Sequence, residues 1–253
     1  MWDSFISIMI NILLYIYAFI GQNFGIAIIL FTILIRLVLY PLNAQQVKQS
    51  GALQDLQKSK KWQEIQKKYK DNKEKLAQEQ MALYKEMGVN PFGSCLPTLI
   101  QFPIIIGLYQ AIIRALAVSP VQLLNLSHHI SGGADLIPLN NHFLWMDLSL
   151  PEKDFGLAIA GFGIPILAIV VVVTSYLQTK LMTPPSTGSA NDQSAQMTKA
   201  MGLYMPIFMG WLAYSFSSGL ALYFVVSNLA TIGQYALMGR LDWNNILPQR
   251  ASK

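Results

Sequence analysis

Apolar residues fall into long runs separated by polar stretches, and the length of each run limits what it can be. Crossing about 30 Å of hydrocarbon takes about 20 apolar residues in a helix that rises about 1.5 Å per residue. Three runs reach that length: residues 22–42, strongly apolar from Phe24 on, residues 96–118, and residues 157–181. A fourth region, 200–241, holds two shorter spans, 200–216 and 219–241, if the chain folds back at Phe216-Ser217-Ser218-Gly219. Pro206 is expected to distort the first of this pair. Residues 1–21 are also apolar but carry Asp3, Ser4, Ser7 and Asn11 and end at Gly21-Gln22-Asn23. That pattern predicts an amphipathic helix lying in the membrane interface, with part of an extra span as the alternative, and no basic leader or cleavage site marks it for removal. The fold class expected is an all-α membrane protein with five transmembrane helices.

Residues 43–95 break the apolar pattern. They hold ten of the eighteen Lys and Arg residues and six of the thirteen Asp and Glu residues. Leu53, Leu56, Ile65, Tyr69, Leu76, Met81, Leu83 and Tyr84 recur at near-helical spacing, and Asp71-Asn72 offers a break, so the segment predicts a water-exposed helical hairpin. The loop 119–156 is opposite in character, with Lys153 its single basic residue against Asp135, Asp147, Glu152 and Asp154. Lys180 and Lys199 flank the Pro/Ser/Thr-rich loop 182–199, and Arg240, Arg250 and Lys253 mark the end of the last span and the tail 242–253. The positive-inside rule places the hairpin, that loop and the tail in the cytoplasm and the N-terminus outside.

Composition agrees with this reading and narrows it. The chain is 53% hydrophobic and 12% charged, too apolar for an ordinary soluble domain. Its net charge of +5 comes largely from the hairpin and does not call for nucleic acid as a partner. Cys95 is the single cysteine, so no intramolecular disulfide is possible, and it is expected to be a packing residue. The adjacent His128 and His129 in the outer loop form no metal-ligand pattern, and His142 stands apart. No cofactor or metal is expected. No hydrolase or metalloprotease motif and no acidic pair occurs within the spans, which argues against an enzyme.

Arg36 is the sharpest feature, a permanent cation inside the apolar run of the first span. An arginine near the centre of a span costs about 2.5–3.5 kcal/mol to insert, so it faces a polar cavity, pairs, or snorkels to the headgroups. Thr32 lies one turn away on the same face. Other spans carry polar stripes: Thr174, Ser175 and Gln178; Phe224, Ser227, Asn228, Thr231 and Tyr235, with Gln234 beside them; and Gln101 early in the second. None of the five predicted spans contains a carboxylate to neutralise Arg36. These positions together predict a wet groove whose cation is left for a visiting anion. Polar glue between packed helices accounts equally well for each Ser, Thr or Asn alone. The Gly21-x-x-x-Gly25 spacing, at a span boundary, is weak evidence for helix dimerisation.

The sequence resembles the YidC/Oxa/Alb insertase family, in its short form without a large extracytoplasmic domain. The matching stretches are Gly25-Ile-Ala-Ile-Ile-Leu-Phe-Thr-Ile-Leu-Ile-Arg36 with Pro41-Leu42, and Tyr84-Lys-Glu-Met-Gly-Val-Asn-Pro91. They continue with Cys95-Leu-Pro-Thr-Leu-Ile-Gln-Phe-Pro-Ile104 with Gly107-Leu-Tyr109, Tyr176-Leu-Gln-Thr-Lys180, Met205-Pro206, and Gly219-Leu-Ala-Leu-Tyr-Phe-Val-Val-Ser-Asn228. The resemblance implies a five-span core around a hydrophilic groove open to cytoplasm and lipid and closed outside. It implies that Arg36 attracts acidic residues of a substrate's translocated tail, that Gln178 and Phe224 line the groove, and that Tyr223 and Phe224 meet the incoming span. The implied partners are newly made membrane proteins and membrane lipids, together with the ribosome, targeting factors and a secretion channel. The implied location is the cytoplasmic membrane of a prokaryote. The chain departs from the family pattern in lacking a proline near Ser217-Ser218 and in having Phe224 where Trp or Tyr is common. A transporter or channel for an anionic solute is the rival reading from another class.

Overall fold

A computed structural model describes residues 2–70, 72–89, 96–116, 139–154, 157–159, 162–182 and 193–241. Cys95, the end of the Tyr84–Pro91 motif, His128-His129, Asp135, most of the 182–199 loop and the 242–253 tail lie outside these residues. The described chain runs α1 Trp2–Phe19, α2 Phe24–Val38, α3 Tyr40–Lys58, α4 Lys60–Lys68, α5 Lys73–Glu86 and α6 Leu96–Ala115. Two short ribbons follow, β1 His142–Phe143 with β2 Met146–Asp147, and β3 Leu157–Ile159 with β4 Phe162–Ile164, both antiparallel. The remaining helices are α7 Ile166–Met182, α8 Gln193–Ser215 and α9 Ser218–Leu237.

α9 is the centre of the bundle, packing against α2, α6, α7 and α8, while α7 also packs along α8. The shared core includes Phe24, Ile28, Phe31, Leu108, Ile112, Val171, Ala213, Leu220 and Ala221. The outward faces stay apolar: Leu30, Leu34 and Leu37 on α2, Val173 on α7, and Ile207, Phe208 and Trp211 on α8 are exposed. A soluble protein would bury such surface; here it is the surface that meets lipid.

Three predicted boundaries move, each for a local reason. Among the described residues the span expected over 157–181 is helical from Ile166, because Gly163 disfavours helix and Pro165 stands where a helix starts. The β3–β4 ribbon occupies the stretch before it. The span expected over 22–42 ends at Val38, where α3 begins with Pro41 in its first turn and leaves at 67°. The helix expected from residue 200 starts at Gln193, since hydropathy marks the lipid-facing part of a helix and not its end. The turn at residues 216–218 falls where expected, with Ser217 accepting from Leu220 N–H at 2.9 Å.

By length and hydropathy α1 and α9 are each able to cross a membrane, and α2 with α3 would make a third crossing if taken as one bent span. The contacts of α1, however, hold both of its ends to one end of the bundle. Trp2 Nε1 donates to Gln110 at 3.3 Å and Arg114 pairs with Asp3 at 3.1 Å, both near the end of α6. The Tyr17 hydroxyl accepts the Asn140 N–H at 2.9 Å, and its ring lies against Phe24, the first residue of α2. Ile112 late in α6 and Ile28 early in α2 both pack on Gly219, so these are the same end. Ile6, Ile10 and Leu13 are buried beneath α1.

Residues 139–154 close that end. Leu148 and Met146 are buried in the core, and Phe143 packs on Gly25, where an added Cβ would come within 2.2 Å of its ring. The close approach that Gly25 permits is therefore to the loop of its own chain.

The hairpin holds three helices where two were expected. Ser59 breaks the chain and caps α4, its Oγ accepting from Trp62 N–H at 3.3 Å. Asn72 caps α5 through Lys75 N–H at 3.0 Å, at the break expected from Asp71-Asn72. α4 and α5 enclose a small core of Leu56, Trp62 and Leu83 with Ile65, Tyr84 and Val89, whereas Met81 is exposed. On the rim Lys61 pairs with Glu86 at 2.7 Å, which holds the ammonium above its ordinary pKa.

Two stability outcomes follow from this packing. Gly25→Ala is expected to cost about 1–3 kcal/mol through overpacking against Phe143. It should lower the melting temperature in detergent, and Phe143→Ala in the same chain should restore it; an undiminished melting temperature in the single variant would contradict the contact. Trp62→Ala is expected to remove about 3–5 kcal/mol from the hairpin core. Hydrogen exchange should then accelerate across residues 40–89 and leave α9 unchanged.

Candidate functional site

α9 places a polar residue toward three of its four neighbours at mid-helix. Ser227 accepts a hydrogen bond from Arg36 Nη2 on α2. One turn earlier, the Tyr223 hydroxyl accepts from Gln101 Nε2 on α6. Asn228, the next residue round the helix, donates through Nδ2 to Thr174 Oγ1 at 3.1 Å and Ser175 Oγ at 2.8 Å on α7. Two polar contacts one turn apart on α9, Gln101–Tyr223 and Arg36–Ser227, thus join three helices, and Asn228 extends polar contact to a fourth. The i, i+4 spacing of Tyr223 and Ser227 stacks their side chains on one face, and Asn228 is rotated to the adjacent face.

Arg36 is half-buried, and among the described residues no carboxylate lies within ion-pair distance of it. A serine hydroxyl satisfies one of its five N–H donors without neutralising its charge. The site is therefore a cation held by a neutral oxygen, with electrostatic capacity left for an anion.

The expected groove residues separate into two sets. Arg36, Gln101, Gln178 and Asn228 are half-buried, and Ser227 is buried beside Arg36. Thr32 is fully buried and its hydroxyl turns back to the Ile28 carbonyl at 2.7 Å, which satisfies it within its own helix. Tyr223 and Phe224 are 1% and 6% exposed, their rings tilted together 5.9 Å apart, so both belong to the packed wall. Thr231 likewise bonds to the Ser227 carbonyl at 2.8 Å, and Tyr235 is buried. No group of three or more His, Cys, Asp or Glu residues suited to a metal occurs among the described residues.

Sequence reasoning missed two features at the ends of this site. Glu152, taken as one of several loop acids, is 1% exposed and accepts two backbone N–H groups at the start of α7. Its only sequence signal is an acidic residue ahead of an apolar helix. At the other end Arg240 lies over Gly51 and pairs with Asp55 at 3.5 Å, joining the end of α9 to α3. Nothing in the spacing of those residues points to that contact.

The geometry agrees with what the chain is similar to. The family model described as "60Kd inner membrane protein" matches residues 15–244. Membrane protein insertase MisCA of Bacillus subtilis is 38% identical over 256 residues, covering 99% of this chain and 84% of that protein. Membrane protein insertase YidC of Oceanobacillus iheyensis is 35% identical, covering 87% of this chain and 76% of that protein. A crystal structure of an active YidC insertase with its first transmembrane domain resolved aligns with a TM-score of 0.60 at 28% identity. That alignment covers 93% of this chain and 46% of the solved one. The chain belongs to the 60Kd inner membrane protein family, that of the YidC-type membrane protein insertases.

Proposed function

We propose that this protein inserts newly made membrane proteins into the bilayer through the polar seam around Arg36. The observation that carries the reading is the half-buried Arg36 guanidinium hydrogen-bonded to Ser227 with no carboxylate beside it among the described residues. An acidic residue in a substrate's translocated tail costs roughly 2.5–3.5 kcal/mol at mid-membrane. A carboxylate about 4 Å from the guanidinium gains at most about 4 kcal/mol at an effective dielectric near 20, before desolvation is charged against it. The two terms nearly cancel, so the seam lowers the barrier without trapping the tail. Burial of about twenty apolar residues of the incoming span in lipid supplies the drive.

In this reading five helices, α2 and α6–α9, span the cytoplasmic membrane of a prokaryote, and α1 lies at the outer surface. The N-terminus is outside, while the lysine-rich α3–α5 hairpin, Lys180 and Arg240 are cytoplasmic. The placement of α1 is supported by its two ends meeting the same end of the bundle. Gln101, Gln178 and Asn228 continue the polar path beside Arg36, and the buried Tyr223 and Phe224 form its back wall. The incoming span slides along the exposed apolar faces. The hairpin receives substrate, ribosome or targeting factors, and its lysines gain about 1 kcal/mol each near anionic headgroups.

The test is insertion of a single-span protein with an acidic tail into liposomes holding the purified chain, scored by protease protection. Protection is expected to require the chain and to fall about tenfold or more in Arg36→Ala, an effect worth about 1.4 kcal/mol. Protection that survives Arg36→Ala would remove the electrostatic step, and no protection above empty liposomes would turn the reading toward a solute transporter.

A further inference from the structure

The start of α7 and the start of α9 are tied together by a short strap of the outer loop. Residues 148–152 run from one to the other. Gly219 N–H donates to the Leu148 carbonyl at 3.1 Å, and Ser218 donates twice to the Leu150 carbonyl, through N–H and Oγ, each at 2.9 Å. Pro151 then bridges to Ser217. The next residue, Glu152, turns inward: one carboxylate oxygen accepts Leu167 N–H at 2.6 Å and the other accepts Ala168 N–H at 2.8 Å. A helix start leaves four N–H groups without partners, and a buried anion matches both their hydrogen bonds and the positive end of the helix dipole.

We propose that Glu152 is a positioning residue for insertion: by pinning α7 to the strap, it fixes the axial register between α7 and α9 that lets Asn228 reach Thr174 and Ser175. From Ala168 to Ser175 the helix rises roughly 10 Å, and from Gly219 to Asn228 roughly 13 Å. Two stiff rods tied at one end meet at a fixed point further along. Slippage by one residue, about 1.5 Å, at right angles to contacts of 2.8 Å and 3.1 Å stretches them to about 3.2 Å and about 3.4 Å, to the edge of the usual N–H···O range and past it. The adjacent Ser227 sits on the same helix and holds Arg36, so the register of α9 against α7 sets what the polar seam offers on its α7 side. Lys153 and Asp154, exposed beside Glu152, make no such contact with α7.

The consequence for insertion rests on the function proposed above; the register itself rests on the hydrogen bonds alone, and the test separates them. Spin labels at Val173→Cys on α7 and Leu229→Cys on α9, both outward-facing, report the register by dipolar EPR in a Cys95→Ser background. Glu152→Ala is expected to shift or broaden the distance distribution, and Glu152→Gln, which keeps one acceptor, is expected to fall between it and the parent. In liposomes with matched amounts of protein, Glu152→Ala should reduce insertion of an acidic-tailed substrate at least about fivefold but a neutral-tailed one less than about twofold. An unchanged distance distribution in Glu152→Ala overturns the proposal. Equal loss for both substrates also overturns it, since that is the mark of a general folding defect. If the parent inserts neither substrate, the functional reading fails while the EPR comparison still decides the register.

Discussion

A guanidinium held inside an apolar bundle governs the arrangement of its neighbours. Arg36 cannot lose its proton, and no acidic residue occurs on α2, α6, α7, α8 or α9 to balance it. Its position is tolerable only where hydroxyls, amides and water replace the lost solvent. α9 supplies that surrounding by turning Ser227 to Arg36 and Tyr223 to Gln101. A carboxylate among these helices would lock the cation in a permanent pair. Neutral partners hold it in place and leave its charge to act on something else.

The two ends of the bundle are built differently. At one end, α1 and residues 139–154 interlock with α2, α6, α7 and α9 through backbone hydrogen bonds, a buried carboxylate and fully buried Leu148. At the other, α3 meets the end of α9 through a solvent-exposed Arg240–Asp55 pair, and exposed pairs contribute about 0–1 kcal/mol. The first end is the more heavily cross-linked of the two. In the proposed function, a polar seam between them would admit a polar segment from the side where α3–α5 is attached and stop it at the other.

Much of this was legible in the chain, because lipid imposes strong rules on sequence. The apolar runs located the helices, the glycine-rich stretch at residue 21 and the turn at residues 216–218 fell where the pattern broke, and the lysine cluster marked the hairpin. The motifs around Arg36, Gln101, Tyr176–Lys180 and Gly219–Asn228 identified the family. What stayed illegible depends on contacts distant in sequence. Hydropathy does not distinguish residues 157–159 and 162–164, paired as a ribbon, from the helix that follows them, because both are apolar. Trp62 was not among the expected core residues, yet it anchors the hairpin, since Ser59 starts a new helix and resets the phase of the apolar face. Thr32 and Phe224 have the spacing of groove residues, and only packing shows that one bonds to its own helix and the other lies in the wall.

The most direct test of a free cation in a polar seam is to place a photo-crosslinking residue in the tail of a stalled substrate and map where it attaches. With an acidic tail, crosslinks are predicted to Gln178, Asn228 and the segment around Arg36, and substitution of the tail carboxylates by amides should abolish them. Crosslinks confined to the outward face of α8, around Phe208 and Trp211, or a pattern indifferent to the tail's charge, would contradict the account.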